Sequence, residues 1–144
     1  MNLPYTIRTA DLPDLDAITE IYNEAILTTT ATFDTQPKSR AEQIEWFKSH
    51  DARHPILVAE MQGKIVGWAS LSKWSGRCAY ADTAETSFYV QDVYRGQGIG
   101  RTLKEAIIEK ARQLRFHSLI ARVAQESAAS MHLNERFGFV QVGQ

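Results

Sequence analysis

Gly96, Gly98 and Gly100 alternate with other residues at the junction of two segments with different periods. Upstream, Thr83–Val90 alternates, with Ala84, Thr86, Phe88 and Val90 on one face and Glu85, Ser87 and Tyr89 on the other, which is the period of a strand. Downstream, Ile99, Leu103, Ala106, Ile107 and Leu114 recur at helical spacing and predict a helix over Ile99–Gln113. Glycines at such a junction let the backbone turn tightly and approach a ligand. The first helical turn adds unpaired N–H groups and the positive end of the helix dipole, so the junction suits a phosphate or pyrophosphate. A glycine-rich turn with no ligand is the competing reading. Spacing rules out two better-known phosphate loops. Gly-Lys-Ser/Thr after a four-residue gap is absent, and the run is G-x-G-x-G rather than G-x-G-x-x-G, with no acid in residues 119–122 to hold a ribose.

The remaining pattern surrounds this junction with a mixed sheet. Residues 5–9 read as a short strand. Asp11 and Pro13 open a helix that carries Leu15, Ile18, Ile21, Tyr22 and Ala25 on one face and ends near Thr28. Ser39 and Glu42 form a capping box ahead of a helix with Ile44, Trp46 and Phe47. Residues 56–60 and 65–71 read as a hairpin turned at Gly63, residues 73–82 as a loop, 118–123 as a strand, 127–137 as a helix and 139–142 as the start of another strand. The expectation is one α/β domain over residues 1–144, antiparallel at its start and parallel across the central helix.

Charge and cysteine content narrow the function. Sixteen basic and seventeen acidic residues leave no basic surplus for a general nucleic-acid binder. A single cysteine, Cys78, permits no internal disulfide or thiolate zinc cluster. His50, His54, His117 and His132 lack metal-ligand spacing and read as surface or helix-end residues. No apolar run approaches the roughly 20 residues of a membrane span, and residues 1–16 lack the pattern of a secretory signal. The region between Arg95 and His117 holds six bases and two acids, either a solvated helix face or the approach to a small anion.

The segment Tyr94-Arg95-Gly96-Gln97-Gly98-Ile99-Gly100, directly after Ser87-Phe88-Tyr89-Val90-Gln91-Asp92, resembles the acetyl-CoA signature of the GNAT superfamily of acyl-CoA N-acyltransferases, Arg/Gln-x-x-Gly-x-Gly/Ala. Further runs are similar to its phosphinothricin and methionine-sulfoximine N-acetyltransferase branch: Ala10-Asp11, Ile21-Tyr22-Asn23, Thr32-Phe33-Asp34-Thr35, Trp46-Phe47, Gly76-Arg77, Ala79-Tyr80 and Thr83–Val90. The resemblance implies the GNAT fold, a mixed central sheet with splayed parallel strands flanked by helices. It implies acetyl-CoA as co-substrate, no metal, a small amine acceptor, a cytoplasmic location and a homodimer. The family pattern continues into a completed C-terminal strand pair where this sequence reaches only Val142-Gly143-Gln144. A truncated sequence, an edge supplied by a partner and a shorter fold all remain open.

Acetyl transfer to an amine requires deprotonation of the ammonium, a polarised thioester carbonyl, aligned reactants and a departing thiolate. An acid in mid-strand is unusual, which marks Glu85. The resemblance makes it the general base, acting directly or through water. By resemblance, the Val90 N–H is the oxyanion donor, and Phe88, Tyr89 and Val90 line the pantetheine. Arg95, Gly96, Gln97, Gly98, Ile99, Gly100 and Arg101 hold the pyrophosphate, and Ser127, Ser130, Asn134 and Arg136 also contact CoA. Asn134 departs from the Tyr or His common at its position, and an amide offers a hydrogen bond but no useful proton. Phe33, Trp74, Arg77, Cys78, Ala79 and Tyr80 are expected around the acceptor, with Arg77 able to pair with a carboxylate. Protein or peptide N-acetylation would keep this chemistry with another acceptor. A non-catalytic acyl-CoA-binding module would be favoured by Asn134 and opposed by Glu85.

Overall fold

The computed structural model describes residues 5–28, 36–74, 82–121, 135 and 137–140. Five strands, β1 (Thr6–Thr9), β2 (Ile56–Met61), β3 (Lys64–Lys73), β4 (Thr83–Val90) and β5 (Ser118–Ile120), form one sheet in sequence order. The first four pair antiparallel, and β5 pairs parallel to β4. The parallel pair needs a crossover, which α3 (Ile99–Gln113) supplies. Helices α1 (Leu15–Thr28) and α2 (Arg40–Lys48) precede the β2–β3 hairpin.

The local signals act as the sequence requires. The Ser39 hydroxyl accepts from the Glu42 N–H at 3.2 Å, and the Glu42 carboxylate accepts from the Ser39 N–H at 3.3 Å, which closes the capping box. Asp11 precedes a short 3-10 turn, Leu12–Asp14, where the Asp14 carboxylate takes the Asp11 N–H at 2.8 Å. Gln62 and Gly63 both adopt positive φ, 51° and 78°, as a two-residue hairpin turn that follows the strand twist demands.

The sheet separates two cores. On one face α3 buries Ile99, Leu103, Ile107, Ile108 and Ala111 against Leu57, Leu71, Ala84 and Val90. On the other, Ile18 and Ile21 of α1 pack with Ile56, Val58 and Trp68. Each such side chain contributes about 1.5–3 kcal/mol when buried. Gly67 permits the close packing of α3, since a Cβ there would lie 3.0 Å from a Leu103 methyl and 3.1 Å from the Tyr89 carbonyl oxygen.

Several expectations change. β5 covers Ser118–Ile120, and residues 122–123 of the expected strand lie outside the described residues. Phe139 and Val140 form no strand there, and the Phe139 ring instead lies 4.3 Å from the Lys104 ammonium. Lys104 is 1% exposed and belongs to the buried side of α3. His54 is also buried, its Nδ1 bonded to Asp51 at 2.8 Å and its ring set edge-on to Phe116. No helix among the described residues is long and apolar enough to cross a membrane.

Candidate active site

β4 uses three of its sides. The even side chains face α3: Thr86 meets Lys104, and Phe88 and Val90 lie where a Cβ on Gly100 would touch them, at 3.2 and 3.6 Å. The odd side chains face α1 and α2. Tyr89 packs against Trp68 at 5.0 Å and Tyr22 at 5.1 Å between ring centroids. Half-buried Glu85 stands opposite Ser72 of β3.

The backbone supplies the third side. The Gln91 N–H donates to the Val66 carbonyl at 2.8 Å. Antiparallel alternation then turns the N–H groups of Tyr89, Ser87 and Glu85 toward β3 and those of Thr86, Phe88 and Val90 toward the opposite edge. On that edge the β5 ladder runs only from Thr83↔Ser118 to Glu85↔Ile120 among the described residues. The β4 backbone beyond Glu85 therefore borders the expected splay. The Val90 carbonyl is already taken by Arg95 Nε at 3.1 Å, and the Val90 N–H shares this edge with the N–H groups of Phe88 and Thr86.

The glycine junction fits an anionic group. Residues 95–98 are exposed, and Gly96 and Gly98 have φ of 80° and 84°. Gly98 is the N-cap of α3, with no capping side chain and no acid in the first turn. No acceptor among the described residues takes the N–H groups of Gly96, Gln97 or Gly98. Behind the junction, the Tyr5 hydroxyl bonds Thr102 Oγ1 at 2.8 Å, and Thr102 Oγ1 donates to the Gly98 carbonyl at 3.0 Å, which ties the loop to β1. Glu24 of α1 accepts the Asp92 N–H at 2.7 Å and holds its approach.

The arginines at this loop are engaged. Arg95 pairs with Asp92 at 2.9 Å and Arg101 with Glu105 at 3.3 Å. Lys104 is buried, and burial pushes its pKa down to about 8. An anion at the junction would thus meet backbone N–H groups first. The Arg95 N–H itself goes to the Asp92 carbonyl.

On the Glu85 face the structure adds residues that sequence reasoning missed. His50 follows α2 with Nδ1 2.8 Å from the Trp46 carbonyl and Nε2 3.0 Å from Ser72 Oγ. A carbonyl only accepts, so the network assigns the proton to Nδ1 and leaves Nε2 to accept the Ser72 hydroxyl hydrogen. Burial holds the imidazole pKa below its ordinary value. Trp74 leaves β3 just past the Lys73↔Ala84 pair, at the same end of the sheet as Glu85. Phe33, Arg77, Cys78, Ala79, Tyr80, Ser127, Ser130, Asn134 and Arg136 lie outside the described residues. Among the described residues no cluster of His, Cys, Asp and Glu could hold a metal.

A parallel β4–β5 pair joined across α3, with an uncapped glycine turn at the helix start, fits the acyl-CoA-dependent transferases. Residues 16–139 match the Acetyltransferase (GNAT) family, and the chain belongs to that family. It is 35% identical over 140 residues to an L-methionine sulfoximine/L-methionine sulfone acetyltransferase of Salmonella typhimurium, covering 96% of this chain and 82% of that one. A GNAT superfamily phosphinothricin acetyltransferase of Sinorhizobium meliloti, solved in complex with AcCoA, superposes with a TM-score of 0.92 at 33% identity, covering 98% of this chain and 77% of that one. A ribosomal-protein-alanine N-acetyltransferase of Brucella melitensis gives 0.90 at 36% identity, covering 96% and 86%. The protein is an acetyl-CoA-dependent acetyltransferase.

Proposed function

We propose that the protein acetylates the amine of a small amino-acid-like acceptor of the phosphinothricin or methionine sulfoximine type, by direct attack with Glu85 as general base. The observation that carries the reading is the division of β4: Glu85 on one face, the Val90 N–H on the open edge and the glycine turn at its end. The named relatives support the acceptor class.

Acetyl-CoA supplies the thioester carbonyl. Gly96, Gln97, Gly98 and the first turn of α3 present N–H groups to its pyrophosphate, and Phe88, Tyr89 and Val90 line its arm. Glu85 takes the proton that keeps the acceptor nitrogen from using its lone pair. The Val90 N–H donates to the carbonyl oxygen as charge gathers there, a fixed dipole that need not reorganise. By family resemblance, Arg77 holds the acceptor carboxylate among Phe33, Trp74 and Tyr80, and Ser127, Ser130, Asn134 and Arg136 complete the CoA contacts. Homodimer formation in the cytoplasm also comes from that resemblance.

Glu85→Gln keeps the shape and removes the base. We expect kcat/KM to fall by roughly 10²–10⁴-fold at neutral pH, with CoA affinity unchanged and the rate recovering as pH rises and free amine forms unaided. Full activity of this variant at neutral pH would refute the assignment. Peptide N-acetylation is the second reading, favoured by the likeness to the ribosomal-protein-alanine enzyme. Thiol release with amino acids bearing a side-chain oxyanion, set against release with alanine-ended peptides, distinguishes the two.

A further inference from the structure

Ser72 and Glu85 are directly opposed across β3 and β4. They share the parity of the Gln91–Val66 bond, so they form a hydrogen-bonded pair with Cα atoms roughly 5.5 Å apart and side chains on one face. A hydroxyl there could donate to the Glu85 carboxylate. The structure directs it elsewhere, because His50 Nε2 lies 3.0 Å from Ser72 Oγ and its Nδ1–H is committed to the Trp46 carbonyl at 2.8 Å. The Trp46 ring, 4.7 Å away between centroids, holds the imidazole plane, and the Ser49 hydroxyl donates to the same carbonyl at 2.6 Å.

We infer that His50 is a positioning residue for the reaction: by accepting the Ser72 hydroxyl hydrogen it turns the Ser72 lone pairs toward Glu85, which denies the carboxylate that donor and offers its protonated form an acceptor. The inference rests on Glu85 as the base. A hydrogen bond to the charged form of a carboxylate stabilises that form and weakens it as a base, whereas an acceptor stabilises the protonated product of its work. His50 thereby fixes which of the two states Ser72 favours.

The arrangement requires a neutral imidazole, since a protonated Nε2 would donate to Ser72 and release its hydrogen. The titratable and charged neighbours of His50 are Asp51, His54 and Lys73. Burial is the largest influence and disfavours the imidazolium. The Trp46 carbonyl opposes it, His54 disfavours the charge, Asp51 favours it, and Lys73 disfavours it. The balance lies on the neutral side. Around Glu85 the ladders bring Ser72 from β3 and Ile120 from β5.

The test is the acidic limb of kcat/KM. His50→Phe keeps a ring beside Trp46 and frees the Ser72 hydroxyl to donate to Glu85, so the limb should move to lower pH by roughly one unit. His50→Gln offers an amide oxygen to the same hydrogen and should restore the limb. Ser72→Ala should shift it down by less, and adding His50→Phe in that background should shift it no further. The inference is overturned if His50→Phe or Ser72→Ala leaves the limb in place, if the Phe shift persists without the Ser72 hydroxyl, or if Gln shifts it as far as Phe. Should His50→Phe fail to fold, the Gln and Ala variants still decide. Glu85→Gln separates the two levels: a limb that survives it sinks the base assignment, while a limb that vanishes in it yet ignores His50 and Ser72 sinks only the positioning role.

Discussion

Lys104 gives a stability measurement whose sign and size both follow from the fold. Its ammonium, 1% exposed by residue, donates to Thr86 Oγ1 at 2.9 Å and lies 4.3 Å from the Phe139 ring centroid, with no carboxylate partner among the described residues. Burial alone pushes its pKa down from 10.5 to about 8. Between those values the unfolded chain holds a proton that the folded protein has released, so stability rises with pH through the window. Below about pH 8 the full penalty applies, and 2.5 units at about 1.36 kcal/mol each make it roughly 3 kcal/mol. Lys104→Met fills similar space without charge. It forfeits the bond to Thr86, about 1 kcal/mol, and the cation over Phe139, about 1–2 kcal/mol. Near pH 7 the variant should therefore match or exceed the parent in urea-unfolding free energy. At about pH 10 most of the penalty is gone, and the parent should gain roughly 2–3 kcal/mol on the variant. Groups common to both proteins cancel in the difference. A gap that stays constant between these two pH values would show that Lys104 does not titrate at a lowered pKa, and the reasoning would be wrong.

Gly98→Val puts a β-branched residue at φ 84°, a conformation that costs about 1–2 kcal/mol even though a Cβ there meets no protein atom within 4 Å. The loop must shift, and calorimetry should find CoA affinity reduced at least about tenfold, or about 1.4 kcal/mol; a folded variant with parental affinity would remove the turn from the CoA site. Arg77→Leu should raise KM for carboxylate-bearing amines well beyond its effect on amines lacking that group, and equal effects would take Arg77 out of the acceptor site.

Legibility in the sequence followed the range of the interactions. Ser39 and Glu42 announced a helix start because a capping box closes within four residues. Thr83–Val90 and Ile99–Gln113 were readable to the residue because each has one face buried and therefore keeps a clear period. Lys104 misled because its position on α3 is apolar by geometry and basic by identity, and periodicity alone favours the solvated reading of a lysine. His50 was illegible for another reason. Its partner Ser72 lies 22 residues away, and nothing local announces a bond made by strand register and helix packing together. The register that sets Ser72 opposite Glu85 pairs β3 with β4, which are nine residues apart in the sequence, too far for a short hairpin turn to announce it.

Register also explains why β4 is held so firmly. Its eight residues carry an acid on one face, a largely apolar set on the other and, beyond Glu85, an edge that no strand among the described residues takes. A slip of one residue would bury Glu85 against α3 and move Phe88 and Val90 to the opposite face. The structure fixes the strand from each direction separately. Lys104 bonds Thr86 from α3, Tyr89 locks between Trp68 and Tyr22 on the opposite face, and Arg95 holds the Val90 carbonyl at an edge that no strand among the described residues pairs with there. The last of these matters most for chemistry. Under the proposed function this edge receives the acyl arm, and the carbonyl next to the proposed oxyanion donor is satisfied by a side chain from the glycine turn. The turn proposed to hold the pyrophosphate thus fixes the Val90–Gln91 peptide through one arginine, next to the peptide that carries the Val90 N–H.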